Sequence, residues 1–215
     1  MKEDSWKKAL DAPMFSALRP SLERFGPDRF PRHDELNALA SRSVLSGGGT
    51  PIRFVLPASS RDPSARYEIR IFETGEVQTR PGNWHDLFNA LVWLAFPRSK
   101  AVLNRHHYEQ IVAHPGESSR GTARDVLTLF DEGGIIVASA DAQLSALLQG
   151  FRWKELFWKR RAAVARSMRF YVFGHAIYEK ALQPYKGVTA KALLVDVASR
   201  SIDAPLEEQL TELDT

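Results

Sequence analysis

Asn83-Trp84-His85-Asp86-Leu87-Phe88-Asn89-Ala90-Leu91-Val92-Trp93-Leu94 carries two different faces at helical spacing. Trp84, Leu87, Phe88, Leu91, Val92 and Ala95 recur on one stripe with a period of about 3.6 residues, the pattern of a helix packed on a core. His85, Asp86, Asn89 and Trp93 fall on the other side. A solvated face would carry Lys, Glu and Gln, so an imidazole, a carboxylate, an amide and an indole together point to the wall of a pocket.

On its C-terminal side, Pro97-Arg98-Ser99 leads into a second helix over about 99 to 113, and so short a connection favours antiparallel neighbours. Asn104 interrupts the apolar side made by Ala101, Tyr108, Ile111 and Val112. A buried amide must have its donors and acceptors matched, and the nearest polar level on the first helix is around Asn89. His107 adjoins Asn104, whereas His106 points elsewhere. A third helix is expected from Thr122 to Glu132, with Ala123, Val126, Leu127 and Phe130 inward and a stop at Gly133-Gly134. Asp131 and Glu132 stand in its last turn against the helix dipole, so a compensating cation or a site is expected there. Ile135 to Ala138 reads as a buried strand, and Ser139 as the cap of a helix through Leu148.

A basic helix follows from Trp153 to Ser167, with Trp153, Leu156, Phe157 and Val164 inward; Arg160 falls in that apolar arc, where Asp131 or Glu132 would suit it. Its run of cations reads as a solvated face, and nucleic-acid binding is not expected. Phe170 to Phe173 forms a strand ending in Gly174-His175; His175 and Glu179 share a helical face, Leu193 to Val197 is a last strand, and Pro205 to Leu213 an acidic helix.

On the N-terminal side, Ile52 to Leu56 and Tyr67 to Phe72 read as strands, and Thr74-Gly75 turns the second back through Glu76 to Thr79 as a hairpin. Ser46-Gly47-Gly48-Gly49-Thr50 reads as a flexible linker, lacking the Lys-Ser/Thr ending of a phosphate loop. Short helices are expected near Trp6 to Leu10 and from Asp34, as N-cap, through Ala40. The divisions are a helical arm over 1–45, one α+β domain over 46–200 and an acidic tail over 201–215.

Among 215 residues, 44% are apolar and 26% charged, enough for one substantial core. No apolar run reaches membrane-spanning length, and the acidic start Met1-Lys2-Glu3-Asp4 is unlike a secretory leader, so a cytoplasmic protein without membrane contact is expected. With no cysteine, disulfides, thiolate metal sites and a cysteine nucleophile are excluded.

The stretch 83–94, Phe96-Pro97, Leu103-Asn104, Arg124-Asp125, Leu129-Phe130-Asp131-Glu132-Gly133 and Gly174-His175-Ala176 through Glu179-Lys180 resemble a proteobacterial family catalogued as a domain of unknown function, DUF3025. The resemblance spans about residues 50 to 195 and implies a bacterial source and a single domain, with no activity to carry over. The expected hairpin, His85-Asp86-Leu87 and Leu103-Asn104-Arg105-His106 are also faintly similar to HNH homing endonucleases, although the asparagine-rich segment of that pattern has no counterpart.

The fold expected is α+β, one sheet containing a hairpin with helices mainly on one face. Histidines and carboxylates without cysteine fit metal-assisted hydrolysis of a small anionic substrate. In that reading His85, Asp86, His107 and His175 are catalytic, Asn89, Trp93, Asn104 and Arg160 bind, and Asp131, Glu132, His175 and Glu179 hold a divalent ion. The competing readings are a non-catalytic binding protein with a structural polar network, and an HNH-like nuclease.

Overall fold

The computed structural model describes residues 10–25, 29–40, 42–57, 64–114 and 121–214. The helix expected near Trp6 lies outside them up to its last residue, Leu10. The elements in chain order are α1 (His33–Ala40), β1 (Arg53–Val55), α2 (Ser64–Thr74), β2 (Glu76–Gln78), α3 (Trp84–Ala95), α4 (Pro97–Ala113), α5 (Thr122–Gly133), β3 (Gly134–Ser139), α6 (Ala142–Gln149), α7 (Arg161–Ser167), β4 (Met168–Val172), α8 (His175–Ala181), β5 (Lys191–Asp196) and α9 (Leu206–Leu213), with short helical turns between some of them.

The class is α+β, with two small sheets. The hairpin gives way to a strand–helix–strand unit: Tyr67 to Phe72 belongs to α2, and β2 pairs parallel with β1. Tyr67-Glu68-Ile69-Arg70-Ile71-Phe72 alternates like a strand, but Tyr67 and Ile71, and Glu68 and Phe72, also repeat at one helical turn. Packing decides for the helix, since Ile71 is buried and Phe72 stacks on Tyr108 of α4 at 3.8 Å between ring centres. Gly75, at φ +72, ends α2 with its N–H on Ile71 O, so Thr74-Gly75 is a helix stop.

The second sheet has the order β4-β3-β5, with β4 antiparallel and β5 parallel to β3. Helices cover both of its faces. Ile136 and Ala138 join the main core with Phe88, Phe173 and Tyr178, whereas Val137 faces a smaller core with Leu144, Leu156 and Val164. The main core also takes in Phe15, Leu18 and Leu36 from before residue 46 and Ile202 and Leu210 from after 200.

Four local expectations change. Ser46 to Thr50 is a pinned turn: Gly47 N–H donates to Asn104 Oδ1, Arg105 Nε to Gly47 O, and Ser46 Oγ to Phe72 O. A Cβ on Gly47 would lie 2.5 Å from Arg105 N, so the glycines there serve close approach. Asp141, with Oδ1 accepting from Gln143 and Leu144 N–H, caps α6 in place of Ser139. In α5, Ala123 and Val126 are exposed. The basic segment is also broken: Lys154–Lys159 is a π-helical turn whose last bond runs from Arg160 N–H to Glu155 O, five residues back. The extra residue rotates the pattern, leaving Leu156 and Val164 buried but Trp153, Phe157 and Arg160 exposed.

Candidate functional site

Three helices present polar side chains to one another. On α3 these are His85 and Asn89; on α4, Lys100, Asn104 and His107, all buried; on α5, Arg124, Thr128 and Asp131. The spacings of three and four residues put each set on one helical face. His85, Asn89, His107, Arg124, Thr128 and Asp131 from these faces, with Tyr67 and Glu68 of α2 and His175 of α8, line an open cavity of about 440 Å³, and Lys100 and Asn104 lie behind its wall.

A chain of contacts crosses its wall. Glu179 Oε2 lies 3.0 Å from His85 Nδ1, and His85 Nε2 lies 3.0 Å from His175 Nε2, the rings meeting edge to face. His175 Nδ1 is buried without a hydrogen bond and faces Asp131 Oδ2 at 3.8 Å. Asp131 Oδ1 accepts from the buried Lys100 Nζ at 2.5 Å, and Lys100 also donates to Asn89 Oδ1 at 3.0 Å and sits 5.3 Å from the centre of the Trp93 ring. Asn89 Nδ2 donates to Tyr67 OH, and Asn104 Nδ2 to Glu68 Oε2, each at 3.0 Å.

Gly174 seats His175. A Cβ there would fall 2.4 Å from Glu132 O and 2.5 Å from the nitrogens of Gly133 and Gly134, so only glycine lets the start of α8 rest on the end of α5. Gly174 N–H donates to Gly134 O at 2.8 Å, fixing that contact.

Burial and charge set the protonation states. Burial drives His175 down to about 4, against the pull of Asp131, so its imidazole is neutral near pH 7. Burial drives Glu68 up to about 7, helped by the nearby Asp131 charge and opposed by Asn104 and Lys100. As a residue Glu68 is half-buried, but its carboxyl end is enclosed. For Asp131, burial is outweighed by Lys100 and His175, which hold it below the usual carboxylate range. Asp86 stays ionised in the same way: against its own burial, Arg80 grips it with Nε at 2.8 Å, Nη2 at 2.9 Å and a backbone N–H.

Of the residues singled out from sequence, His85, Asp86, Asn89, His107, Asp131, Glu132 and His175 line this cavity. Glu179 supports His85 from behind. Trp93 is buried under Lys100, and Asn104 meets Gly47 and Glu68 in place of the Asn89 level. Arg160 is exposed on the π-turn, where the shifted helical phase takes it away from Asp131 and Glu132. Among the described residues no group of three His, Asp or Glu side chains is placed to hold a metal ion. Two of the expected ligands are already engaged, Asp131 by an ammonium and Glu179 by an imidazole.

Sequence reasoning missed Glu68, Lys100 and Arg124, the last with its Nε buried and unpartnered. Glu68 was hidden in an expected strand; Lys100 and Arg124 were legible as the one-turn predecessors of Asn104 and Thr128. The helix at 64–74 also removes the hairpin on which the likeness to HNH endonucleases rested. No curated protein and no solved structure matches the chain. Residues 52–215 match the family described as Protein of unknown function (DUF3025), and the chain belongs to that family.

Proposed function

We infer that the cavity is the active site of a hydrolase for a small anionic substrate, working by general acid–base catalysis. The observation that carries this is geometric: one cavity holds the His85–His175 pair, joined Nε2 to Nε2 at 3.0 Å, together with Glu68, and burial pushes the Glu68 acid up to about 7 and the His175 base down to about 4. Environments that separate titrating groups in this way assign acid and base roles. In this reading Arg124 holds the substrate anion, the histidine pair takes the proton of a water at the bare His175 Nδ1 while the shared proton passes to His85 Nε2, and protonated Glu68 supplies one to the leaving group. Among the described residues no serine lines the cavity and Tyr67 is pushed far up by burial, and in this reading water is the nucleophile.

The histidine pair suits proton uptake. Glu179 can only accept, which places a proton on His85 Nδ1. One further proton lies between the two Nε2 atoms. With both rings neutral it belongs to His175, whose Nδ1 is then bare. When a proton arrives at His175 Nδ1, beside Asp131, the shared proton passes to His85 Nε2, which becomes the donor.

The test is turnover of a panel of small phosphate and carboxylate esters by wild type, His175→Gln, Glu68→Gln and Arg124→Gln. The two acid–base variants should lose about 10²–10⁴-fold in kcat, and Arg124→Gln should chiefly raise KM. A compound that wild type binds and never converts, and that His175→Gln and Glu68→Gln bind equally well, would establish the non-catalytic binding role instead.

A further inference from the structure

On the face of the second sheet away from the cavity, the segment 150–161 carries a chain of ring contacts, Phe151 on Trp153, Trp153 on Phe157 and Phe157 on Phe170, that still leaves large aromatic surface exposed. Phe151 is 72% exposed, Trp158 68%, Trp153 50% and Phe157 46%. Phe151, just past the end of α6, holds φ +53, a left-handed conformation that costs a residue with a side chain. Cations surround these rings. Residues 150–166 hold six Lys and Arg against one acid, Glu155, which Arg152 neutralises at 2.6 Å. The whole chain is only +3, so everything outside this segment is net negative.

We propose that this knuckle is a peripheral docking surface for an anionic lipid bilayer, with Phe151 and Trp158 entering the headgroup layer while Lys154, Lys159 and Arg160 meet lipid phosphates. Exposed Trp and Phe ringed by Lys and Arg match the two attractions such an interface offers, apolar burial and charge. The arrangement of the rings favours lipid over single-stranded nucleic acid. A base needs an open aromatic face, whereas Trp153 and Phe157 stack on each other at 13° and Arg161 lies over Trp158, 5.6 Å from its ring centre. Among the described residues no helix is long and apolar enough to cross a membrane, so the contact is interfacial. The sheet separates this surface from His175, leaving the cavity open when the knuckle docks.

The experiment is co-sedimentation with phosphatidylcholine vesicles, with and without about one-third phosphatidylglycerol, beside binding to a single-stranded oligothymidylate. The expected result is partition onto the anionic vesicles alone, weakening with salt and accompanied by a blue shift of tryptophan emission. Paired Phe151→Asn and Trp158→Ser changes should lower partition at least tenfold without shifting the thermal midpoint. Paired Lys154→Glu and Lys159→Glu changes should lower it about 25-fold or more, at about fivefold per cation. Absence of partition at low salt, aromatic variants that bind as wild type does, or tighter binding to the oligonucleotide than to the vesicles would each overturn the proposal.

Discussion

Glu68 and His175 predict a stability profile that is flat only because two large effects cancel. His175 falls from its ordinary 6.5 to about 4, so between those values the unfolded chain binds a proton that the folded chain refuses. Its contribution is complete above pH 6.5 and is lost as pH falls, by about 3 kcal/mol in all. Glu68 rises from 4.5 to about 7, so the folded chain keeps a proton that the unfolded chain releases. That contribution is complete below pH 4.5 and is lost as pH rises through 7, again by about 3 kcal/mol. Between pH 4.5 and 6.5 the two slopes oppose each other. Glu68→Gln removes one of them, so its stability relative to wild type should climb with pH at about 1.4 kcal/mol per unit. His175→Gln should fall relative to wild type at a similar rate. Urea unfolding followed by tryptophan fluorescence at pH 4.5, 5.5 and 6.5 reads both, as midpoint displacements of about 1 M across the interval. Two variants that run parallel to wild type, or that deviate in the same direction, would refute the reasoning.

Lys100→Met leaves Asp131 buried without its ammonium partner and should cost about 3–5 kcal/mol at pH 7, seen as a drop of roughly 6–20 °C in Tm. Adding Asp131→Asn should restore most of that loss; a double variant as unstable as Lys100→Met would show that the pair is not the cause. Gly174→Ala should destabilise by about 1–3 kcal/mol through its clash with the backbone of 132–134 and should move the His175 ring resonances in an NMR spectrum. A spectrum and Tm like those of wild type would show that α8 and α5 can separate freely.

What could be read from the sequence was whatever repeats within one element. The two faces of 83–94 and the polar character of one of them follow from helical spacing, and the structure buries residues Leu87 through Trp93. Asn104 was recognisable as a satisfied buried amide because it broke an apolar stripe, but its partners, Gly47 and Glu68, come from segments that periodicity does not connect. The six residues from Tyr67 are too few to separate a two-residue from a four-residue repeat, and the choice was made by Tyr108 and Asn89. Arg160 was misplaced because one inserted residue in a π-turn rotates everything beyond it, and no residue in Lys154–Lys159 announces the insertion. The pairing of His85 with His175 spans ninety positions and exists only once α8 rests on α5.

The glycine seat at Gly174 gives that pairing an unusual datum. Where α8 meets Gly133 and Gly134, main chain lies against main chain, so the position of the second imidazole is gauged from peptide groups and not from side-chain volumes. Substitutions that trade one apolar side chain for another around Phe173 or Tyr178 do not touch that contact directly, and the two Nε2 atoms stand 3.0 Å apart. A single methyl group at the seat, by contrast, acts as a shim. Beyond about 3.5 Å the bond between the nitrogens is gone, and a shared proton becomes two independent imidazoles. Tolerance of sequence change in this fold is therefore directional, generous in the interior and nearly nil at a contact that has no side chains in it at all.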